Sequence, residues 1–126
     1  MSVLQTKGGE RMDEIIIFEN LTPHAVIIYG KTMLVIQPSG LVARCDTITE
    51  EVGTLNGIPL VKNTFGQIQD LPEPKRNTVY IVSSLVAAAC PDRKDLVSPD
   101  TTPQSVIRDE NGRITGVKRL QIFYQS

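Results

Sequence analysis

Apolar residues in this chain come in short, often β-branched runs broken by Gly, Pro, Asn and Asp, the pattern of a protein built from brief strands and tight turns. Ile15-Ile16-Ile17-Phe18 is the first run, and Asn20-Leu21-Thr22-Pro23-His24 closes it. Pro23 has no amide to donate and pushes Thr22 towards extended geometry, so the segment predicts a strand and then a turn. Residues 25–29 and 32–36 are two further strand-like runs whose Gly30-Lys31 link suits a two-residue type II′ hairpin. Pro38-Ser39-Gly40 leads into the alternating stretch 41–45, which points Arg44 away from its apolar neighbours. Runs 52–55 and 58–61 flank Asn56-Gly57, a strong hairpin signal because both residues tolerate positive φ. Residues 65–68 add a short strand, and the prolines and charges of 71–77 predict a loop.

The strand expected at the centre is 78–82. Ser83 or Ser84 then caps a short helix over the alanine-rich stretch 85–90, which Pro91 ends. Residues 91–104, with their prolines, aspartates and the Arg93-Lys94 pair, predict a long irregular loop and hence a candidate binding loop. Residues 106–108 and 113–115 form a late hairpin around Asp109-Glu110-Asn111-Gly112, and 120–124 closes the sheet. The fold class is mainly β, of α+β type: an antiparallel sheet or small barrel of short hairpins with one short helix. Residues 1–13 predict a flexible lead, with Met12 a possible internal start, and 14–126 a single globular domain.

Composition narrows the partners. At 126 residues the chain can bury roughly two thirds of its unfolded surface in a core of its own. Lys and Arg number 13 against 14 acidic residues, a balance without the basic field that grips bulk nucleic acid. No apolar stretch approaches the roughly 20 residues of a membrane-spanning helix, and no secretory leader opens the chain, so a cytoplasmic protein is expected. Cys45 and Cys90 lack flanking Cys or His, which fits reduced, buried thiols better than a disulfide framework or a zinc site. No metal or cofactor is expected.

The candidate chemistry is that of anion binding. Ser83 and Ser84 at a strand-to-helix junction offer two hydroxyls beside free amides, although the plainer reading of the pair is an N-cap. No nucleophile elbow, Walker loop or dinucleotide fingerprint surrounds them. Arg44, Arg93, Arg108 and Arg113 could grip phosphate bidentately if they converge, or remain solvated. His24, the single histidine, could contact a phosphate or act as a base, and Asn20 and Thr22 beside it are turn-formers or ligand contacts. The pairs Asp92/Asp95 and Asp109/Glu110 could serve acid–base chemistry or simply partner nearby arginines.

Four segments, Asn20-Leu21-Thr22-Pro23-His24, 38–44, 80–86 and 93–96, resemble small proteins of phages and bacteria over about residues 15–123. The resemblance carries no catalytic residue across; it implies a phage or prophage setting. In that setting the expectation is a non-catalytic counter-defence sponge, a homo-oligomer that sequesters a small, anionic, nucleotide-derived signalling ligand. An enzyme cleaving such a phosphoester and a module binding a protein or virion component are the two rival readings.

Overall fold

The computed structural model describes residues 15–125. The lead expected over residues 1–13 and the start at Met12 lie outside the described residues. Among those described, strands dominate and one short helix is present, as the sequence pattern predicts.

The central sheet holds β1 (Ile17–Asn20), β6 (Thr78–Ile81), β7 (Leu96–Pro99) and β10 (Leu120–Gln121), in the order β1-β6-β7-β10. Helix α1 (Ser84–Ala89) links β6 to β7. Burial on both faces explains the unbroken apolar run of β6. Tyr80 and Val82 point into one cluster with Leu21, Ala43, Val86, Ala87 and Leu96, whereas Val79 and Ile81 point into another with Val26 and Val97. Successive residues of the strand thus feed opposite layers.

A second sheet contributes to the latter cluster. It contains β3 (Met33–Ile36), β2 (Val26–Tyr29), β9 (Ile114–Val117) and β8 (Val106–Arg108), in that order. Gly116 lets β9 lie close to β2: a Cβ there would sit 2.5 Å from the Tyr29 ring and 2.7 Å from the Ile27 carbonyl oxygen.

The third sheet is a two-stranded ribbon, β4 (Arg44–Leu55) and β5 (Ile58–Gln69), each 12 residues long and antiparallel to the other. Asn56 and Gly57 close it at φ 51° and 79°, the left-handed pair expected of that turn. The base of the ribbon meets α1, but residues 46–65 are all exposed and none belongs to either core cluster.

Several local expectations change. The hairpins suggested antiparallel pairing throughout, yet β1, β6 and β7 run parallel and only β10 opposes β7 in the central sheet. β7 itself lies inside the segment predicted as irregular loop. The β2–β3 link spans Gly30-Lys31-Thr32, since Tyr29 pairs with Met33, and Gly30 is not at positive φ; a two-residue type II′ turn is therefore excluded. The closing strand covers only Leu120–Gln121 of the predicted 120–124.

Candidate functional site

Three of the sequence-nominated residues, Thr22, Arg44 and Ser83, meet at one cleft of about 520 Å³ where the ribbon leaves the body. They arrive from the turn after β1, the first position of β4 and the junction between β6 and α1. Val42, Ala43, Cys45, Asp46 and Thr47 complete much of the wall. These ribbon-base residues went unnominated, although their proximity to Arg44 along the chain was the available signal.

The turn is rigid for a specific reason. Asn20 is 1% exposed, and its amide nitrogen donates to the carbonyls of His24 (2.8 Å) and Ile36 (3.0 Å). Its Oδ1 accepts from the Thr22 amide (2.9 Å) and hydroxyl (2.6 Å). Asn20 therefore spends its polar atoms on the chain and forms the floor support beneath Thr22. His24 projects into solvent and is not among the residues lining the cleft.

Ser83 is the N-cap of α1: its hydroxyl oxygen accepts from the Val86 amide at 3.2 Å. The helix is six residues long, too short to focus an appreciable macrodipole, so the site cannot rest on its N-terminus. Ser84 is the first helical residue and is exposed outside the cleft lining.

Arg44 is exposed, and its guanidinium has no hydrogen-bond or ion-pair partner among the described residues. Asp46, two positions further along β4, is held instead by Gln69, whose Nε2 donates at 3.1 and 2.9 Å to the two carboxylate oxygens. The cleft thus presents an unengaged planar cation and a fixed carboxylate, with the hydroxyls of Thr22, Thr47 and Ser83 around them.

The remaining arginines are placed elsewhere. Arg93 donates from Nε and Nη2 to the two oxygens of Asp95, both at 2.8 Å, and also to the Pro72 carbonyl at 3.0 Å. That bond to Asp95 is the chief cause that raises the Arg93 pKa above its usual value. Arg108 donates to the Gly112 carbonyl of its own hairpin at 2.7 Å and borders a separate hollow of about 310 Å³ with Thr101, Pro103 and Val106. Arg113 is exposed on that hairpin. The arginines do not converge on the Ser83–Ser84 end, apart from Arg44.

Cys45 and Cys90 are free thiols, each half-buried against the cluster around Tyr80. Burial raises the Cys90 pKa, with Arg93 pulling the other way. No group of three or more His, Cys, Asp or Glu residues among those described could hold a metal ion. No helix among the described residues is long and apolar enough to cross a membrane. Compared with known protein families, curated proteins and solved structures, the chain matches none.

Proposed function

We propose that the cleft at the ribbon base binds a small phosphate-bearing ligand of nucleotide type and retains it without turnover. The observation that carries this reading is the unpartnered Arg44 guanidinium, set among hydroxyls from three separate parts of the chain in a cleft of about 520 Å³. That volume falls within the range of roughly 300–1,000 Å³ usual for small-molecule sites. The guanidinium fork suits a phosphate, whereas Asp46 and the hydroxyls suit the amine and hydroxyl groups of a base or sugar. Arg44 and Asp46 together make the cleft amphoteric, which favours a nucleotide over a bare polyanion.

Retention is favoured over cleavage because the lining residues offer Asp46 but no histidine as a proton acceptor, and Gln69 already occupies both oxygens of Asp46. With the resemblance to phage proteins, this supports a sponge for nucleotide signals of bacterial immunity, acting in the host cytoplasm.

The test is a thermal-shift screen against cyclic dinucleotides, cyclic trinucleotides, ADP-ribose derivatives and common nucleotides, with the ligand recovered after heating. A raised Tm and intact ligand are expected. Arg44→Ala should weaken binding about 10- to 100-fold, the worth of one charge-assisted contact, while leaving the ligand-free Tm in place. Arg93→Ala should do the reverse, lowering stability by about 2 kcal/mol because it leaves Asp95 and the Pro72 carbonyl without their partner. Altered ligand would replace the sponge with an enzyme, and the absence of any shift across the panel would remove the nucleotide reading.

A further inference from the structure

The ribbon exposes apolar side chains that its own chain leaves uncovered. Ile48, Val52, Leu55, Ile58, Leu60, Val61 and Phe65 are each 43–63% exposed. The face that carries Ile48, Leu55, Ile58 and Leu60 offers, at roughly 100 Å² apiece, on the order of 400 Å² of apolar surface, comparable to the largest patch on a typical monomer.

Their arrangement selects the occupant. In the ribbon register Glu50 lies opposite Lys62, Ile48 opposite Thr64, Gly53 opposite Leu60 and Leu55 opposite Ile58. Residues alternate faces along a strand, so these pairs share one face. It presents an acid–base pair in the middle, with apolar residues towards both the tip and the body. Glu50 and Lys62 form no ion pair with each other or with any other described residue, so both charges remain available.

Such a face is complementary to itself. Turned by a twofold axis that lies in the face and runs along the strands between them, Glu50 of one copy meets Lys62 of the other, and Leu55 of one meets Ile58 of the other. This is the requirement for an isologous interface, in which the same patch serves both subunits. We infer that the occupant of the ribbon face is a second copy of this chain, docked face to face across the Glu50–Lys62 pair. The inference is independent of what the cleft binds.

The experiment uses the full chain and two single variants, Glu50→Lys and Lys62→Glu, both at exposed positions outside the core. Size-exclusion chromatography with light scattering at micromolar concentration should give the wild type twice the 13.9 kDa of one chain. Each variant places like charges opposite one another across the axis, so its dimer dissociation constant should rise about a hundredfold or more. An equimolar mixture of the two variants, one doubly basic and the other doubly acidic at this pair, should restore the dimer as a mixed species. A monomeric wild type, as expected if a different protein covers the ribbon, would overturn the inference. So would variants that dimerise as tightly as the wild type, or a mixture that stays monomeric.

Discussion

Asn20 holds the turn beneath the cleft because one planar amide can donate to two carbonyls while accepting from Thr22, and no other side chain of its size does both. Asn20→Ala should cost about 2–4 kcal/mol in denaturant unfolding, since it orphans buried backbone groups as well as deleting bonds. Asn20→Asp should be at least as damaging at neutral pH, because a carboxylate would face the His24 and Ile36 carbonyls without a proton to donate. Equal stability of wild type and Asn20→Asp would show that those two bonds contribute nothing. Little of this was legible in the sequence. The Asn-Leu-Thr-Pro word marks a turn, but local signals do not reveal that Asn20 reaches across 16 residues to Ile36. The same holds for the arginines: Arg44 announced its exposure by alternation, whereas the engagement of Arg93 with Pro72 depends on a contact 21 residues away.

Between elements, close backbone approach and fixed charge decide how the strands are joined. Gly116→Ala would force a Cβ against the Ile27 carbonyl and the Tyr29 ring, so it should destabilise the β2–β9 contact by about 1–3 kcal/mol, measured by the same unfolding. At the end of β7 the Thr102 amide donates to Asp100 at 3.0 Å, and Arg119 Nε donates to the other carboxylate oxygen at 2.9 Å. The bonds from Thr102, helped by Arg119, hold the Asp100 pKa below the usual carboxylate value. A depressed folded-state pKa means stability that is present above the unfolded value and lost as pH falls towards the folded one. The stability gap between wild type and Asp100→Asn should therefore be constant above about pH 5 and shrink below about pH 4. A gap unchanged at low pH would remove Asp100 from the account. Hairpins, the Ser83 cap and the Pro91 stop were legible because each is set by neighbours in the chain. β7 was not: Leu96-Val97-Ser98 is brief and closed by Pro99, and burial of Leu96–Ser98 comes from pairing with β6 and packing beneath α1. The parallel direction of the central strands is hidden for the same reason, since only a non-local pairing defines it.

In the whole molecule the ribbon and the body are separable in energy, because the two core clusters draw no residue from 46–65. Twelve-residue strands standing clear of the core gain little from intramolecular burial, which leaves their apolar side chains open to a covering partner. If that partner is a second copy, unfolding is coupled to dissociation and the melting temperature depends on chain concentration. Wild-type Tm should rise by about 2 °C or more per tenfold increase in concentration, given the sensitivity of a domain of this size to a fraction of a kcal/mol. Ile48 and Thr64 are directly opposed in register and in phase with Leu55 and Ile58, which close the native turn, so joining them through Asn-Gly preserves the hairpin geometry while removing the exposed arm. The shortened chain should fold, melt at a temperature independent of concentration, and keep any ligand response that depends on Arg44. Loss of folding would show that the body needs the arm for more than association. A concentration-independent wild type would leave the arm without a role in assembly, and a shortened chain that no longer responds to ligand would place part of the binding surface beyond Ile48, on the ribbon itself.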